Sequence, residues 1–124
     1  MFEVFRVLVL SAAPALGRVP GSREFADRYL KRYGPIANYA ANSYDSARIV
    51  LAAIDAAARK TGGLPSRAEV LAAMRALHFQ GIAYARPVEW DEKGDNRAAV
   101  IFLNVVEGDR FKEIGEVGAE DLAK

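Results

Sequence analysis

Apolar and polar positions along the chain change period twice, and the two changes divide it into a strand, three helices and a closing set of strands. Val7-Leu8-Val9-Leu10 is a continuous apolar run ending in Ser11-Ala12-Ala13-Pro14. Such a run bounded by a Pro-containing loop predicts a buried strand. Residues 11–21 hold two Pro and two Gly and read as a loop. Ser22 is the expected N-cap of a first helix whose apolar positions are Phe25, Tyr29, Leu30 and Tyr33, and Gly34-Pro35 ends that helix. A second, longer helix is predicted over 39–59, with Tyr44, Ala47, Leu51, Ile54 and Ala58 on one stripe. Asp45, Arg48, Asp55 and Arg59 are expected on the opposite face, and Gly62-Gly63 stops the helix. Ser66-Arg67-Ala68-Glu69 is a capping box opening a third helix with Val70, Leu71, Met74 and Leu77 inward. Three successive helices need a sheet or a partner to cover them.

From Gly81 the pattern turns to strands. Val88-Glu89-Trp90 leads into the polar turn Asp91-Glu92-Lys93-Gly94-Asp95-Asn96. The stretch 99–106 is apolar on both faces except at Asn104, and Glu107-Gly108-Asp109-Arg110 joins it in a hairpin to Phe111-Lys112-Glu113-Ile114. Residues 118–124 are expected to fray.

Composition narrows the functional classes. Among 124 residues, 17 Lys and Arg against 16 Asp and Glu give a net charge of +1, so no strong field draws in nucleic acid or an anionic surface. Half of the chain is apolar and about a quarter charged, as in an ordinary folded domain. The absence of Cys removes thiolate chemistry, disulfides and Cys-ligated metals. Glu3 offsets Arg6 ahead of a very short apolar core, so the amino terminus reads as a strand and not as a secretion signal.

Candidate chemistry is sparse. His78 is the sole histidine, which leaves metal binding without a second imidazole; it is expected at the end of the third helix, near the terminal carbonyls. Asp91 and Asp95 flank Gly94, but EF-hand counting from Asp91 puts Asn96 at position six and Phe102 at twelve, where Gly and Glu are required. No phosphate-cradling glycine motif and no nucleophile elbow occurs, and no cofactor is implied. Tyr29-Leu30-Lys31-Arg32-Tyr33 mixes aromatic and basic residues, yet helical spacing makes it a solvated helix. The start of the long helix is the remaining candidate site, because helix starts present free N–H groups at a rim. Tyr39 and Asn42 are its candidate ligand-binding residues. A cap role for Asn42 or Asn38 and a core role for Tyr44 stand beside that reading.

Three stretches taken in order carry a resemblance: Phe25-x3-Tyr29-x3-Tyr33-Gly34, Tyr39-Ala40-Ala41-Asn42-Ser43-Tyr44-Asp45-Ser46-Ala47-Arg48, and Val88-x-Trp90-Asp91-x-x-Gly94-Asp95. Together they resemble the carboxy-terminal third of the substrate-binding proteins of branched-chain amino acid ABC transporters, over about residues 4–115. The resemblance implies an α/β chain that is a fragment of the two-lobed type I periplasmic binding protein fold, three helices plus a few strands. Residues 1–11 and 97–117 would belong to second-lobe strands, and 12–96 to first-lobe helices and a turn. It further implies a non-enzymatic, periplasmic solute-binding role, an amino acid ligand and an ABC permease as partner. Tyr39 matches an aromatic at the cleft edge, whereas Tyr44, Asp45, Trp90, Asp91, Gly94 and Asp95 match structural positions. Most groups that hold the ligand's ammonium and carboxylate come, in that family, from segments preceding those matched here, and Arg86 stands where a Gly is common. The alternative function is a self-associating α/β interaction module, a homo-oligomer formed through exposed apolar faces.

Overall fold

A computed structural model describes residues 7–37 and 39–118 of the chain. The elements are β1 (Leu8–Ser11), α1 (Ser22–Tyr33), α2 (Ala40–Thr61), α3 (Arg67–Arg75), β2 (Val100–Glu107) and β3 (Arg110–Gly118). The expected cap of the second helix at Asn38, residues 1–6 and the fraying of 119–124 fall outside the described residues, whereas Gly118, also expected to fray, is buried at the end of β3. The strands form one antiparallel sheet in the order β1-β2-β3, with Leu8 opposite Val105 and Val106 opposite Phe111. A register shift between Leu103 and Asn104 lets β3 continue to Gly118, beyond the Ile114 end that the sequence pattern implies. Gly108 closes the hairpin at φ +64°.

β1 is an edge strand, not a buried one. Leu8 and Leu10 remain 59% and 68% exposed, because among the described residues β1 has a neighbour on one side only. The core is built from Val19, Ile49, Val88, Phe102 and Val105 with a series of buried alanines. Helix α2 packs on α3, and α2 buries Ala41, Ala53 and Ala57.

Three helix expectations need correction. Gly21, at φ +85°, caps α1, and Ser22 is the helix's first residue; its hydroxyl donates to the Val19 carbonyl and accepts from the Gly17 N–H. The buried stripe of α2 is Ala41, Asp45, Ile49, Ala53 and Ala57, so Asp45 lies inside while Leu51 and Ile54 face out. A carboxylate wins an inward position because two backbone donors wait for it there, as described below. In α3 no residue is buried and Leu71 is half exposed. The capping box is present in full: Glu69 N–H donates to Ser66 Oγ, and Ser66 N–H donates to the Glu69 carboxylate.

Candidate functional site at the start of the long helix

Gly34 and Pro35 break α1, and the chain re-enters a helix four residues later at Tyr39. Tyr39 caps α2 in the left-handed region, φ 67° and ψ 0°, and among the described residues no other non-glycine has a positive φ. Its carbonyl accepts from the Ser43 N–H at 2.9 Å. Holding a side-chain-bearing residue there costs about 1–2 kcal/mol, a strain of the kind that accompanies ligand contacts. The residue is 53% exposed. It stands between two cavities, one of about 130 Å³ against Leu16 and Ile36, the other of about 390 Å³ against Val9, Asn104 and Phe111. Tyr39 thus borders both the helical layer and the sheet.

Asn42 does not cap the helix. Its Nδ2 donates to the Tyr84 hydroxyl at 3.1 Å, tying α2 to the 81–86 loop. One turn further on, Asp45 is 3% exposed, and its Oδ2 accepts from the N–H groups of Ile82 and Ala83, both at 2.8 Å. That approach requires glycine at 81: a Cβ there would lie under 3.0 Å from all three carboxylate atoms. Burial pushes the Tyr84 phenol above its ordinary pKa; the Asn42 hydrogen bond pulls the other way, and the nearby Asp45 and Tyr39 add to the rise. Tyr84 therefore stays neutral at physiological pH and serves as a hydrogen-bonding post for Asn42.

The sheet contributes the far side. Glu113 on β3 reaches back to the loop before α1, accepting from the Ala15 N–H at 3.0 Å and pairing with Arg18, which also approaches Glu116 at 3.5 Å. Asn104, nine-tenths buried, donates to the Phe102 carbonyl at 3.3 Å and lines the same cavity as Tyr39. Asn104 is visible in the sequence as the lone polar residue of an apolar strand. Tyr84 and Glu113 carry no such signal, because their partners lie far away in sequence.

The other sequence candidates resolve as structure. The Asp91 carboxylate accepts from the Lys93 and Asp95 N–H groups, and these backbone bonds, that of Asp95 foremost, hold it below the usual carboxylate pKa. Gly94 takes φ +91° in that turn. His78 lies past the end of α3 and pairs through Nδ1 with Glu89 at 3.1 Å, not with the helix carbonyls. Among the described residues no group of three or more His, Asp or Glu could hold a metal, and no helix is long and apolar enough to cross a membrane.

A strained aromatic bordering two cavities, set between a helical layer and an antiparallel sheet, is the candidate site of this α/β chain. The sequence profile of the periplasmic binding protein family matches residues 7–110, and the chain belongs to that family. Its fold resembles that of a leucine-binding protein from Thermotoga maritima, with a TM-score of 0.71 at 22% identity. The likeness covers 93% of this chain and 31% of the Thermotoga protein, so the chain corresponds to about a third of a type I periplasmic binding protein. No curated protein sequence matches significantly.

Proposed function

We propose that this chain forms the carboxy-terminal part of the solute-binding component of an ABC importer, and that its ligand is a branched-chain amino acid or a related small molecule. The observation that carries this reading is Tyr39, held at positive φ over two adjoining cavities in a chain of the periplasmic binding protein family. The Tyr39 ring would contact the ligand's side chain from the cleft edge, and Asn42, fixed by Tyr84, would keep the helix start in place beneath it. The role is binding without catalysis, in the periplasm, with delivery to a membrane permease. Residues 12–96 would belong to the first lobe, and the strands of 1–11 and 97–117 to the second. Ligand bridging both lobes would favour the closed arrangement by its higher affinity for that state.

Calorimetric titration of the purified chain with leucine, isoleucine and valine tests the reading. Saturable heat that Tyr39→Ala abolishes supports it. Equal heats from the parent and Tyr39→Ala, or no heat from a folded chain, would reject this part of the protein as a ligand-binding unit.

A further inference from the structure

The two cavities that Tyr39 borders share Pro14 and Ala15 as further walls but differ in size and chemistry. The smaller, of about 130 Å³, lies between the loop at 14–16 and residues 36–42, and among the described residues no charged side chain lines it. Leu16 and Ile36 are its bulkiest aliphatic walls. The larger, of about 390 Å³, lies against the sheet and has Ser11 and Asn104 in its lining. A pocket for a whole small ligand spans roughly 300–1,000 Å³. The larger cavity is therefore the size of a ligand's body, and the smaller is the size of one side chain.

The walls of the small cavity are fixed from both sides. Leu16 sits between two pinned amides: the Ala15 N–H donates to the Glu113 carboxylate of β3 at 3.0 Å, and the Gly17 N–H donates to the buried Ser22 hydroxyl at 2.8 Å. Ile36 follows Pro35, whose ring sets its own φ, and precedes a turn in which the Ala40 N–H donates to the Ala37 carbonyl at 3.4 Å. Walls tied in this way cannot spread for a larger group without breaking these bonds, so the cavity discriminates by size. A dry apolar cavity of about 150 Å³ accommodates benzene, so one of about 130 Å³ holds a branched aliphatic group but not a benzyl group. A charged group would lose its hydration there without gaining a partner. We infer that Leu16 and Ile36 determine specificity: the cavity they bound receives the ligand's side chain, admits a branched aliphatic group of about four carbons, and refuses aromatic and charged ones. This inference rests on the ligand reading of Tyr39 given above.

The test is a ratio of affinities, read by calorimetric titration of the full chain with leucine, alanine, phenylalanine and glutamate. Leucine should bind at least about tenfold more tightly than each of the other three. Ile36→Ala and Leu16→Ala, each with an unchanged circular dichroism spectrum, should widen the cavity and lower the preference for leucine over phenylalanine about tenfold, chiefly by tightening phenylalanine. Leu10→Ala serves as the control, because Leu10 is a wall of the larger cavity and not of the smaller; it should leave that preference unchanged. A preference that neither Ile36→Ala nor Leu16→Ala alters, or that Leu10→Ala lowers as much as they do, would overturn the inference and leave the ligand reading standing. Phenylalanine or glutamate binding as tightly as leucine would do the same. No heat from any of the four amino acids with a folded chain would overturn both.

Discussion

Asp45 is the residue on which the junction of α2 with the 81–86 loop turns. One buried carboxylate oxygen serves two backbone N–H groups that have no solvent alternative. Asp45→Ala would strand both donors and should cost about 3 kcal/mol in urea unfolding. Gly81→Ala should cost a similar amount by expelling the carboxylate from its seat, whereas Asp45→Asn, which keeps an acceptor, should cost clearly less. A second residue-scale prediction concerns acid. The Asp91 carboxyl titrates below its unfolded value because backbone N–H groups bind its ionised form. Its stabilisation is therefore present at neutral pH and is lost as pH falls through the depressed folded value. Amide signals of Lys93 and Asp95 should shift together along that acid titration, and Asp91→Ala should remove the transition. The sequence discloses Asp91, whose partners lie within four residues. It misplaces Asp45, because periodicity assigns a charge to the solvent side unless a distant donor is known, and Ile82 is 37 positions away.

Elements whose signals are local are the ones the sequence places well. The Ser66–Glu69 box, the Gly62 stop at φ +72° and the Gly108 hairpin all depend on residues adjacent in the chain, and each forms as expected. Ser66→Ala should lower stability by about 1 kcal/mol, measured by thermal unfolding, since it removes the acceptor of the Glu69 N–H and the hydroxyl that donates to the Glu69 carboxylate, leaving only the Ser66 N–H bond to that carboxylate. The choice between the two apolar sides of α2 was not legible in the same way. Leu51 and Ile54 outweigh Ile49 and the alanines in hydrophobicity, so periodicity selects the outer stripe; the Ile82 and Ala83 N–H groups that bind Asp45 select the inner one. The same ambiguity applies to β1, where an all-apolar run fits a buried strand and an exposed edge equally well. At the candidate site, Tyr39 stood out by following a Gly-Pro break, while its positive φ belongs to backbone geometry that no residue pattern announces.

At the scale of the whole molecule, the helical layer and the sheet are joined by loops and by a few long-range polar ties. Glu113 is the chief of these, binding the Ala15 N–H and Arg18 from the far strand. Glu113→Ala should cost about 1–2 kcal/mol, and the Ala15 amide should lose its protection from hydrogen exchange while amides in the middle of α2 keep theirs. The topology also sets a timetable. Leu8 pairs with Val105, so during synthesis β1 must wait for a strand that emerges nearly a hundred residues later. At roughly 5–20 residues per second that interval is about 5–20 s. Throughout it the Val7 to Leu10 run lacks its β2 mate, and the nascent chain carries an adhesive apolar stretch, which makes this segment a natural client site for a chaperone during synthesis.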